Sequence, residues 1–126
     1  MDKSKKSQIE SYLRAYNQFD LNGMLGPLAQ DVIFQHYSQG TLTHHTEGLA
    51  AFRQQAEAAM DLFRSREQTA VEWSFDENVV TVHISYYAVL AADLPNGLQA
   101  GQVLRLKGQS VFHFTGNHIT KIIDRS

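Results

Sequence analysis

The chain has no cysteine, which excludes disulfides, thiolate metal ligands and a cysteine nucleophile. No apolar run approaches the roughly 20 residues that a membrane-spanning helix needs. Nothing reads as a signal peptide, so a cytoplasmic protein that does not engage a membrane is the expectation. Positive charge is scarce as well: 11 Lys and Arg stand against 13 Asp and Glu, a formal net charge of −2. Recognition of nucleic acid needs a clustered cationic face, so no nucleic-acid partner is expected. The one basic cluster, "KSKK" (Lys3, Lys5, Lys6), reads as a solvated, frayed end. No repeat, low-complexity segment or linker divides the sequence, and residues 1–126 read as a single domain. With 43% hydrophobic and 19% charged residues, that length suffices to bury a core.

What is present is an order of elements. In "SQIESYLRAYNQF", Ile9, Tyr12, Leu13, Tyr16 and Phe19 recur at three- and four-residue spacing. This predicts an amphipathic helix over 7–19, with Ser7 as N-cap and Glu10 closing a capping box. Asp20 is placed to cap a second, brief helix carrying Leu21, Met24, Leu25 and Leu28, disturbed by Gly26 and Pro27. "VIFQHY" (32–37) has the β-branched and aromatic composition of a short strand. The polar stretch "HYSQGTLTHH" reads as a loop leading to Gly48 and "LAAFRQQAEAAMDLF". There Leu49, Phe52, Ala56, Met60 and Phe63 make another amphipathic stripe.

After Arg66 the period changes from helical to alternating. "TAVEWSF", "NVVTVHISYYAVLAA", "QVLRLKGQSVFHF" and "HITKIID" are separated by the turn sequences "DEN", "LPNG" and "TGN". Three or four antiparallel strands are predicted, and helices followed by a meander make an α+β fold. A long twisted sheet curls, and helices on its concave side would close a cup able to hold a small hydrophobic molecule.

The stretches "YLRAYNQFDLNGMLGPLAQDVIFQ", Gly48 with "LAAF", and "GQSVFHFTGNHITKIID" cover nearly the whole chain. In this order they resemble the nuclear transport factor 2-like superfamily, particularly its SnoaL-like and ketosteroid isomerase-like branch. The resemblance implies a cone-shaped, curved, mostly antiparallel sheet with three N-terminal helices closing a pocket, and a homodimer. It also implies residue roles. Tyr12 falls where the isomerases keep a tyrosine that donates to the dienolate oxygen. His36 stands where they keep an aspartate base, and Ser110 where they keep a second donor, a protonated aspartate. Asp124 falls where SnoaL-like cyclases keep a catalytic aspartate, with Ile123 in place of their usual tryptophan.

Strand alternation puts Asp124 on one face with Ile122 and Thr120, and Ser110 with Phe112 opposite Val111 and His113. Tyr12 and Tyr16 lie one helical turn apart. Trp73 and Phe75 form the aromatic face of their strand, either as core or as pocket lining. The expected catalytic set is Asp124 and His36 for acid–base work and Tyr12 as donor to an enolate oxygen. Tyr16, Trp73, Ser110, Phe112 and Ile122 are expected to bind the substrate. Tyr12 and Tyr16 also have a plain reading as core residues with wet tips, and His36 as a hydrogen-bonded structural histidine. The activity implied is proton transfer at a carbon acid, as in isomerisation, cyclisation or dehydration, and it requires no cofactor. The alternative is a noncatalytic ligand-binding or dimerisation module on the same fold. His44 and His45 point to opposite sides if extended. The histidine spacing matches no ligand motif, so no metal is expected, and both are read as rim or surface. Alternation leaves His83 unoriented, and His118 falls in a turn.

Overall fold

A computed structural model describes residues 3–126. The order is α1 (Lys3–Asn17), α2 (Leu21–Leu25), β1 (Leu28–Ser38), β2 (Thr41–Glu47), α3 (Leu49–Met60), β3 (Phe63–Asp76), β4 (Val79–Leu90), β5 (Val103–Thr115) and β6 (His118–Arg125). All six strands form one sheet in the order β2-β1-β6-β5-β4-β3. Every neighbouring pair is antiparallel except β1 with β6, which is parallel. The sheet is curved and unclosed, with β2 and β3 at its edges and three helices against it. The α+β cone expected from the sequence is what the chain forms. Among the described residues no helix is long and apolar enough to cross a membrane.

Periodicity explains the core. The stripe of α1 buries Ile9, Tyr12, Leu13 and Ala15, and α3 buries Phe52 and Ala56. Facing them, one register row of the sheet aligns Phe34, Ile122, Phe112, Val80 and Phe75 across five strands. Ile122, Phe112 and Val80 in that row have no exposed surface. Each such side chain contributes about 1.5–3 kcal/mol by leaving water.

Several local expectations are corrected. Helix α1 starts at Lys3, so Ser7 lies inside it and caps nothing. The basic cluster is therefore helical and not frayed: Lys5 Nζ lies 5.8 Å from the Phe114 ring centroid and Lys6 Nζ 5.2 Å from that of Trp73. Lysine stems lie readily along apolar surface while the ammonium reaches outward. Asp20 does cap α2, accepting from the Gly23 amide at 3.0 Å, but Leu28 begins β1 and is not helical. Helix α3 ends at Met60, and Phe63 opens β3.

The stretch read as a polar loop is a β-hairpin, with β1 and β2 in register from Ile33↔Glu47 to Ser38↔Thr41. Gln39 and Gly40 turn the corner with φ of 51° and 82°, the double positive φ of a two-residue hairpin turn. "QG" carries that signal far more weakly than "NG", which is why polarity suggested a loop.

Candidate active site

One row along from the buried Phe34–Phe75 row, the register aligns His44, His36, Asp124, Ser110, Val82 and Trp73 across all six strands. Cross-strand partners share a face. Four residues expected from the sequence, His36, Asp124, Ser110 and Trp73, thus lie on the concave side in a single line. Phe112 and Ile122 belong to the row beneath and are fully enclosed.

At the centre of the line Ser110, 4% exposed, donates its hydroxyl to Asp124 Oδ1 at 2.6 Å. Burial pushes the Asp124 carboxyl up to about 6, and the Ser110 hydrogen bond restrains the rise. Tyr12 reaches the same region from α1, edge-on to Phe112 with ring centroids 5.9 Å apart. Burial raises its hydroxyl well above the ordinary tyrosine value, and the negative charge of Asp124 adds to the rise. No hydrogen bond engages the Tyr12 hydroxyl among the described residues.

His36 is placed differently. A bulge between His36 and Tyr37 leaves Thr43 of β2 out of register, and its hydroxyl gathers the neighbouring groups. Thr43 Oγ1 donates to the His36 carbonyl at 3.1 Å, lies 2.7 Å from His36 Nδ1 and 3.1 Å from His44 Nδ1. The other ring nitrogen, Nε2, is 3.4 Å from Ser126 Oγ. Burial, and then the neighbouring His44, hold His36 below the usual imidazole value. The strand also separates the histidine pair: His45 faces the other way, its Nε2 2.8 Å from Glu47 Oε2. His83 stands exposed on the outer face opposite Glu72, and His113 lies there beside Lys121. Among the described residues no three His, Asp or Glu side chains converge as a metal ion would require.

Two residues that sequence reading did not single out complete the polar interior. Tyr86 on β4 shares a 3.0 Å hydrogen bond with the Tyr16 hydroxyl. Arg66, 4% exposed, stacks its guanidinium 3.7 Å from the Tyr16 ring centroid and donates from Nε to the Tyr16 carbonyl at 2.9 Å. Burial raises both tyrosine hydroxyls, while the positive charge of Arg66 pulls them back.

A groove of about 630 Å³ opens between α1 and β3. Among the residues expected to bind substrate it takes in Trp73 alone; Tyr12, Tyr16, Ser110, Phe112 and Ile122 lie outside its lining, as do His36 and Asp124.

Residues 9–122 match the SnoaL-like domain. No curated protein sequence matches the chain at a significant level. Solved structures share the fold at low identity. A presumed polyketide cyclase from Xanthomonas campestris is 21% identical with a TM-score of 0.85, over 98% of this chain and 90% of that one. A nuclear transport factor 2-like protein of unknown function from Burkholderia pseudomallei is 18% identical with a TM-score of 0.80, over 98% and 90%. AclR, a presumed hydroxylase from Streptomyces galilaeus, is 18% identical with a TM-score of 0.75, over 95% and 86%.

Proposed function

The chain belongs to the SnoaL-like domain family, and on that footing we propose that it is a small-molecule enzyme catalysing proton transfer at a carbon acid without a cofactor. The observation that carries this reading is the Ser110–Asp124 contact, a carboxyl held at about 6 above the apolar row of Phe112 and Ile122. A group with that pKa can both take and return a proton near neutral pH. In this reading Asp124 removes the proton α to a carbonyl, and the Tyr12 hydroxyl donates to the enolate oxygen that forms. One well-placed donor of this kind is worth about 3–4 kcal/mol of barrier. His36, one strand over in the same row, exchanges the second proton across the bound substrate. Ser110 orients the base, while Phe112 and Ile122 form the apolar floor beneath it. Tyr16 and Trp73 bound the substrate on the α1 side.

The substrate class is a small hydrophobic ketone, in keeping with the cyclase and hydroxylase names of the similar structures. The test is deuterium exchange at the α-carbon of a panel of aryl β-keto esters in D2O. Wild type should accelerate exchange for at least one member, and Asp124→Asn should lower it by about 100-fold or more with the fold intact. Undiminished exchange in Asp124→Asn would remove the assignment.

One observation favours a noncatalytic ligand-binding or dimerisation module instead. The 630 Å³ groove does not include the Ser110–Asp124 pair. Binding of panel members with exchange at the uncatalysed rate would establish that alternative. A homodimer belongs to both readings, with the exposed Val71, Tyr87 and Val103 available to it; sedimentation equilibrium measures it directly.

A further inference from the structure

Arg66 is a buried cation without a buried anion. Desolvating a guanidinium is unfavourable unless charge or hydrogen bonds replace the lost water, and at 4% exposure Arg66 has lost nearly all of it. The fold compensates only in part. Nε donates to the Tyr16 carbonyl at 2.9 Å, and the rings of Tyr16 and Phe19 present their faces at 3.7 and 4.6 Å. Nη2 meets Met24 Sδ at 3.9 Å, and a thioether is a weak acceptor. Among the described residues no carboxylate forms an ion pair with Arg66 and no acceptor meets Nη1.

The same side chain lines the 630 Å³ groove between α1 and β3, a volume in the range of small-molecule sites. Leu13, Ala70 and Trp73, the chain's single tryptophan, give the groove an apolar wall. Asn17 is not free to bind, because its amide already clamps the Gln68 backbone in both directions at 2.7 and 3.1 Å. That clamp fixes the spacing of α1 and β3. Arg14 adds a second positive charge at the exposed surface, where Glu10 and Glu67 remain solvated.

We propose that this groove binds a small aromatic carboxylate, with the carboxylate on the free Nη edge of Arg66 and the ring against Trp73, Leu13 and Ala70. A planar guanidinium matches a carboxylate in two parallel hydrogen bonds, so the ligand supplies the anion that the protein lacks. The site shares Trp73 with the proton-transfer reading but not the Ser110–Asp124 pair, and it does not depend on that pair being catalytic.

The test is a titration with 2-naphthoate, with 2-naphthamide as its uncharged counterpart, followed by 1H–15N NMR of the single tryptophan indole N–H. Naphthoate should shift the Trp73 resonance saturably and bind about tenfold or more tightly than the amide. Arg66→Gln, where folded, should abolish that preference. Because Arg66 is buried, Gln68→Glu serves as a second variant: nearly isosteric, on the same strand face two residues away. It gives Arg66 an internal anion and should weaken naphthoate about tenfold relative to naphthamide. Asp124→Asn should leave both affinities as in wild type, which keeps this test apart from that of the proton-transfer reading. No saturable shift, equal binding of acid and amide, or a preference that survives Gln68→Glu would overturn the proposal.

Discussion

His36 and Asp124 are Cα partners in adjacent parallel strands, yet no hydrogen bond joins their side chains. Each is engaged elsewhere, His36 by Thr43 and Asp124 by Ser110. Their ionisations should therefore be nearly independent in the unliganded protein. In a 13C titration of the Asp124 carboxyl, His36→Gln should move the midpoint from about 6 by less than roughly 0.5 of a pH unit. A larger shift would show direct coupling between the two.

Ser110→Ala should act in the opposite manner. The hydrogen bond from Ser110 favours the ionised carboxylate and holds its pKa down. A hydrogen bond to a charged group is worth about 1.5–3 kcal/mol, and one pKa unit is about 1.4 kcal/mol. The midpoint should rise by about one unit or slightly more. If Asp124 is the base in the exchange assay, the rising limb of the pH–rate profile should move up with it.

Asp124 also makes stability depend on pH with an unusual sign for an aspartate. Its folded pKa, about 6, lies above the reference value of 3.8. Between those values the folded state binds more protons than the unfolded one, so this group's contribution falls as pH rises. It is complete below the unfolded value and lost by the time pH passes the folded one. Asp124→Asn cannot titrate and keeps an acceptor for Ser110. Its stability relative to wild type should be about 1–3 kcal/mol more favourable at pH 7.5 than at pH 3.5. Urea denaturation of both proteins at the two pH values measures that difference, and no change between them would contradict the raised pKa.

Strand parity made much of this site legible and also hid part of it. Alternation alone put Ser110 with Phe112 and Asp124 with Ile122, and β5 pairs with β6 in that register. Counting back by twos from Trp73 fails, because the β3–β4 register shifts between Ala70 and Glu72. That bulge turns the inward positions from Phe75 and Trp73 to Ala70, Gln68 and Arg66. Arg66 therefore read as one more polar residue before the strand, when it is the buried cation under α1. The hairpin β1–β2 was hidden for a different reason. Its outer strand has five exposed residues in a row before Thr46, so hydrophobic alternation had nothing to report. The partnering of His36 with Thr43 follows from a bulge that no local pattern announces.

Close approach of strands gives the last prediction. A Cβ at Gly108 of β5 would stand 2.2 Å from the Arg125 carbonyl oxygen and 3.3 Å from Arg125 C and Ser126 Cα. These are backbone atoms, so β6 must move as a strand, and it carries Asp124 next to the point of collision. Gly108→Ala should destabilise the protein by about 1–3 kcal/mol. It should also raise the Asp124 midpoint, because Ser110 lies two residues away and its hydrogen bond would lengthen. Gly26 is the contrasting case: beyond its chain neighbours the nearest atoms to an added Cβ are 3.6 and 3.8 Å away, and only its helical backbone (φ −51°, ψ −49°) directly before the Pro27 ring opposes a side chain. Gly26→Ala should cost up to about 1 kcal/mol, less than Gly108→Ala, because the Pro27 ring disfavours the helical conformation for a residue with a Cβ. Urea denaturation of the two variants side by side, with the Asp124 titration on Gly108→Ala, separates strand crowding from a general cost of replacing glycine. Equal stability of the two variants would show that β6 yields without cost.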